Sequence, residues 1–122
     1  EPALSGKIKY IDFLLLPSDN LIASSIPIIT KVAIDNKVGI IGVDEPMVKS
    51  GALACEGINY YKLGYETGLM AVEIIEGKEI KDIPITGMKE TELTINKDIA
   101  DKLEITLPEN LVKNAVIVEG DK

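Results

Sequence analysis

Histidine and tryptophan are absent from this chain, and cysteine and phenylalanine occur once each in its 122 residues. Without His, and with a lone Cys, the chain can build no His/Cys zinc site, no Ser-His-Asp triad and no Cys-His dyad. Few routes to an enzyme remain. Cys55 has no partner for an internal disulfide, so cysteine usage does not report the compartment. It reads as a small buried apolar residue on a strand, with a thiol that the neighbouring Glu56 makes harder to ionise. Hydrophobic residues reach 46 %, and with so few aromatics the core must be built from Ile, Val and Leu. The formal net charge is −7 and no stretch clusters basic residues with aromatics, which argues against nucleic acid or an anionic membrane as partner. No run has the length of a membrane span, and the first residues do not form a signal peptide. The length fits one small domain or a piece of a larger one. The opening Glu1-Pro-Ala-Leu-Ser-Gly6 reads as a cut inside a longer protein.

What is present is organised around Val38-Gly-Ile-Ile-Gly-Val43, an apolar, β-branched run that stops at Asp44, Glu45 and Pro46. Such a run reads as a strand buried on both faces, typical of a parallel sheet covered by helices. Before it, Tyr10–Leu16 predicts a strand closed by Pro17. Ser18, Asp19 and Asn20 then supply helix-cap chemistry for a helix to about Asn36, whose Ile22, Ile26, Ile29 and Ala33 fall on one face. Pro27 should kink that helix. After Asp44-Glu45-Pro46, a turn through Met47 to Ser50 and Gly51 leads to a third strand, Ala52–Glu56, ending at Gly57. Asn59 precedes a second helix from Tyr60 to about Glu76, stopped by Gly77. Its Gly64 and Gly68 suit close packing, because Lys62, Glu66 and Glu73 rule out a membrane helix. Beyond it, Ile83–Thr86 and Glu92–Asn96 read as extended segments, with Lys89, Glu90 and Glu92 suggesting a sheet edge. Asn96 can cap a helix from Lys97 to Leu103, Pro108–Lys113 can add a turn of helix, and Ala115–Val118 a last strand. The fold class is α/β, built on a parallel Rossmann-like βαβ unit.

Three polar points therefore follow strand ends: Ser18-Asp19-Asn20, Asp44-Glu45, and Gly57 with Asn59. Parallel strands bring such points to one rim, where α/β proteins bind ligands. Each also has a local backbone explanation as a cap or turn residue. A carboxylate such as Asp44 suits a ligand ammonium or sugar hydroxyls, and a backbone amide near Gly57 allows close approach. Adjacent Asp44 and Glu45 do not suit glycoside hydrolysis, which needs carboxylates on opposite sides of a bond. Asp19, Asp44 and Glu45 leave a magnesium-dependent, receiver-like or phosphatase-like domain open. No phosphate-cradling or dinucleotide glycine motif is present, and no cofactor is expected.

Leu16-Pro-Ser-Asp-Asn20, then Val43-Asp-Glu-Pro-Met-Val-Lys-Ser-Gly-Ala-Leu-Ala54, then Gly57-Ile-Asn-Tyr-Tyr-Lys-Leu-Gly-Tyr-Glu-Thr-Gly68 resemble the carboxyl-terminal part of ABC-transporter substrate-binding proteins of the tryptophan/tyrosine type. These have the type I periplasmic-binding-protein fold. The likeness runs from about Ile11 to Leu111. Members usually carry Asp where this chain has Asn59, and often an aromatic or polar residue where it has Cys55. The resemblance implies a non-catalytic, extracytoplasmic lipoprotein that captures an amino acid for an ABC permease. It implies ligand positions at Ser18, Asp19 and Asn20 and at Asp44 and Glu45, with Gly57 near a hinge crossing. On this reading 1–57 is the ligand-lobe βαβ portion of an incomplete fold and 58–122 the hinge-crossing and second-lobe portion. Three parallel strands alone leave unpaired edges, so a homo-oligomer is expected. An effector-binding lobe of a transcriptional regulator uses the same fold and is the main alternative.

Overall fold

The computed structural model describes residues 6–88 and 90–119; the readings of Glu1–Ser5 and Lys89 lie outside them. The chain divides into two compact units, Glu1–Gly57 with Glu92–Lys122, and Ile58–Thr91. In the first, one sheet holds β1 (Phe13–Leu15), β2 (Gly39–Gly42), β3 (Ala54–Gly57), β4 (Glu92–Asn96) and β5 (Val116–Val118), in that spatial order. The first three strands are parallel, with Leu15 opposite Ile41 and Gly42 opposite Cys55. β4 then runs antiparallel to β3, and β5 parallel to β4.

Helix α1 (Asn20–Asp35) connects β1 to β2. Asp19 starts it by accepting from the amides of Leu21 and Ile22 at 2.8 and 3.1 Å, and Ile26 and Ala33 sink into the core at the helical spacing. The helix is assigned without a break through Pro27. Its exit is a Schellman turn: the Val38 amide reaches the Ala33 carbonyl and the Lys37 amide that of Ile34. Lys37 takes the left-handed φ of 57° this requires.

Between β2 and β3 the expected turn is a one-turn helix, α2 (Glu45–Lys49), capped by Asp44. Its Schellman exit uses Gly51 at φ 120°, packed against Thr30 of α1. Helices α4 (Lys97–Lys102) and α5 (Glu109–Asn114) carry the chain from β4 to β5, and α3 (Tyr60–Ile75) belongs to the other unit. The core joins Ile26, Ile40, Met47, Val48, Cys55 and Val118, and a smaller cluster joins Leu53, Ile99, Ala100 and Leu103.

The second unit is built on α3 (Tyr60–Ile75), capped by Asn59 through the Lys62 amide and closed by Gly77 at φ 101°. No residue of α3 is buried. Among the described residues no helix is long and apolar enough to cross a membrane.

Three further expectations change. The segment Ile83–Thr86 forms no strand. β4 is not an edge: both its sides are hydrogen-bonded, leaving β1 and β5 as edges, because Thr94, Ile95 and Asn96 are buried between neighbours. Residues 92–119 also do not continue away from the first unit after 58. They return to its sheet, where Ile95 pairs with Ala54 and Ile117.

Candidate functional site

The parallel register of β1, β2 and β3 brings Ser18-Asp19-Asn20, Asp44-Glu45 and Gly57 to one rim, beyond the carboxyl ends of three adjacent strands. Asn59 lies in the second unit, where it caps α3. At the rim the residues differ in how far the backbone has already committed them. Ser18 and Asn20 are exposed, and Asn20 is the first residue of α1 rather than its cap. Asp19 gives one oxygen, Oδ1, to two amides. Asp44 is half-buried, and among the described residues its Oδ1 accepts only from the Met47 amide, at 3.0 Å. Glu45 is exposed and paired with Lys49 one turn on, at 2.6 Å.

The Asp44 carboxylate is thus the one rim charge that is both fixed by a backbone bond and partly withdrawn from solvent. Its second oxygen, Oδ2, makes no hydrogen bond among the described residues. The turn that carries it is seated at several points. Met47, 3 % exposed, packs over Gly42, where an added Cβ would stand 3.0 Å from the Met47 Cβ. Asn96, buried in β4, donates from Nδ2 to the Val48 carbonyl of α2 at 3.0 Å and accepts from the Ile99 amide at 3.1 Å. In sequence Asn96 reads only as a helix cap; its hold on α2, 48 positions away, has no local signal.

Cys55 lies beneath this rim, 1 % exposed. Burial pushes its thiol pKa up, a hydrogen bond with Thr94 pulls it down, and the Asp44 and Glu45 carboxylates add to the rise. It is an inert core thiol, not a nucleophile. Among the described residues no group of three His, Cys, Asp or Glu side chains is placed to hold a metal ion. Asp19, Asp44 and Glu45 are thus not gathered as one such group, and nothing in the site supports the receiver-like alternative.

The rim offers hydrogen-bonding side chains and a fixed carboxylate, a set suited to holding a small polar ligand. A family profile described as ABC transporter substrate binding protein matches residues 4–119. A tyrosine-binding protein of Clostridioides difficile (strain R20291) is 52 % identical over 103 residues, covering 84 % of this chain and 30 % of that protein. Among solved structures, the ligand-free, open form of a Clostridium difficile substrate-binding protein with adhesive properties superposes with a TM-score of 0.86 at 42 % identity, over 98 % of this chain and 40 % of that one. A Streptococcus pneumoniae ABC domain in complex with L-Trp follows at a TM-score of 0.79 and 31 % identity, over 96 % and 40 %. The chain thus spans well under half the length of each of these relatives. With the profile covering nearly all of it, the chain belongs to the ABC transporter substrate-binding protein family.

Proposed function

We propose that this chain contributes the ligand rim of a substrate-binding protein that captures an aromatic L-amino acid, tyrosine in the first instance, and hands it to an ABC permease without chemical change. The observation that carries this is the Asp44 carboxylate, held by the Met47 amide at the end of the central parallel strands with Oδ2 left over. A ligand ammonium there completes a charge-assisted hydrogen bond. The 52 % identity to a tyrosine-binding protein supports tyrosine as the first ligand to test. Ser18 and Asn20 are assigned polar contacts with the rest of the ligand, Asp19 a cap that also supplies negative potential, and Glu45 a charge already balanced by Lys49. Asn59, in the second unit, is given no part in this rim and serves as the cap of its helix. An importer component of this kind works outside the cytoplasmic membrane, tethered or free.

The test is calorimetric titration of the full-length protein with L-tyrosine. Asp44→Asn should weaken binding by roughly 1 to 3 kcal/mol, the range for a hydrogen bond to a charged group. Unchanged affinity in a folded variant refutes the anchor role. Failure of the wild-type protein to bind any aromatic amino acid refutes the assignment of ligand class.

A further inference from the structure

β3 ends at Gly57, a buried residue and the last of the first unit's opening segment. Its φ lies outside the left-handed region that only Gly51 and Gly77 occupy among the described glycines. Backbone conformation therefore does not demand glycine there. Space does. A Cβ at this position would stand 3.1 Å from the Val43 carbonyl oxygen, 3.4 Å from the Asp44 Cα and 3.4 Å from the Cys55 Sγ. The first two are backbone atoms of the turn between β2 and α2, which cannot rotate aside as a side chain does. The following residues are also tied down, Met47 against Gly42 and the Val48 carbonyl by Asn96. A methyl group at 57 is accommodated by moving the Val43–Asp44 backbone by a few tenths of an ångström, and the carboxylate moves with it.

We infer that Gly57 is a positioning residue for the Asp44 carboxylate: its missing side chain lets the end of β3 lie against the Val43–Asp44 backbone and fixes where Oδ2 meets a ligand ammonium. On this account Gly57 need not touch the ligand. The inference rests on the reading of Asp44 as ammonium anchor given above, and the experiment separates the two.

Four full-length proteins, wild type, Gly57→Ala, Asp44→Asn and the double variant, are titrated with L-tyrosine and with 3-(4-hydroxyphenyl)propanoate, which keeps the ring and carboxylate but lacks the amine. Gly57→Ala should lower affinity for L-tyrosine about fivefold, because small misplacements of a contact group are costly. Affinity for the amine-free analogue should stay within about twofold, and the Gly57→Ala effect should vanish in the Asp44→Asn background, as coupled sites are non-additive. Equal losses for both ligands, or additive losses in the double variant, overturn the inference and leave the anchor in place. If Asp44→Asn itself leaves L-tyrosine binding unchanged, the anchor reading fails and takes the inference with it. Should Gly57→Ala not fold, amide exchange on the wild-type protein decides: L-tyrosine should slow exchange at both Met47 and Gly57, and the analogue at neither. Protection at Met47 without protection at Gly57 overturns the inference.

Discussion

Asn96→Ala removes a side chain that holds two helices to the sheet at once. Asn96 is 1 % exposed; its Oδ1 caps α4 through the Ile99 amide and its Nδ2 supports α2 through the Val48 carbonyl. Loss of the cap costs about 1 kcal/mol. The Nδ2 bond adds about 1 kcal/mol rather than the full desolvation penalty, because the Val48 carbonyl still accepts from the Gly51 amide at 3.1 Å. The space left by a buried amide adds about 1 kcal/mol more. The expected total is about 3 kcal/mol, a large share of the stability of a small domain. Asn96→Ser keeps an oxygen able to cap but cannot reach Val48, so it should lose less than Ala. Asn96→Asp keeps the cap and sets a carboxylate against the Val48 carbonyl in a buried site, so it should do no better than Ala. Urea unfolding followed by far-UV circular dichroism reads these as shifts in midpoint at constant slope. A loss below about 1 kcal/mol for Ala, or Asp matching wild type, would refute the two-helix role.

Gly51→Ala should be worse than a usual glycine substitution, by about 3 kcal/mol, since strain and overpacking add. Its φ is 120°, and a Cβ would stand 2.7 Å from the Thr30 Cγ2 and 2.8 Å from its Oγ1; a thermal melt within a degree or so of wild type would contradict this. Cys55 should give the protein a pH-dependent stability. Its folded pKa is raised, chiefly by burial, so the unfolded thiol ionises first, above roughly pH 8.5. The contribution is fully present below that pH and is lost as pH rises through the folded value. Cys55→Ala should flatten the alkaline arm of the stability profile, and an unchanged slope would refute the assignment.

The helix starts at Asp19, Asn59 and Asn96 were legible because capping chemistry is local, whereas Asp44 read as the start of a turn. Asp19, Asp44, Asn59 and Asn96 all stand at starts, each accepting from amides two or three residues on. Helix ends were half legible. Gly51 and Gly77 signal their exits, whereas Lys37 and Glu104 adopt left-handed φ of 57° and 60° with side chains that give no sign of it. Their ion pair at 2.6 Å joins the exits of α1 and α4, and Lys37 holds the Glu104 carboxyl below its ordinary pKa. The three parallel strands announced themselves as apolar runs. The place of β4 did not, since Glu92–Asn96 pairs with β3 across an intervening 34-residue unit, Ile58–Thr91. Strand pairing at that range leaves no trace in a short window of sequence. The charged residues around position 90 pointed to an edge for the same reason: they describe the approach to the strand, not its neighbours.

Under the proposed function, the Asp44 oxygen that caps its helix also prepares the residue as an anchor. An unanchored surface carboxylate must lose rotamer freedom when it binds an ammonium, whereas one already tied to the Met47 amide has lost it on folding. Capping and binding therefore compete less than they first suggest, since they use different oxygens. They can also be separated by substitution. Asn is as good an N-cap as Asp, and Ala is not. Asp44→Asn should keep the melting temperature near wild type while weakening L-tyrosine, because the oxygen facing Met47 survives and the charge does not. Asp44→Ala should lose both, with about 1 kcal/mol of stability gone along with the affinity. If Asp44→Asn instead lowers stability as far as Ala and leaves affinity untouched, then the carboxylate serves the fold alone, and the ligand's ammonium must be held elsewhere.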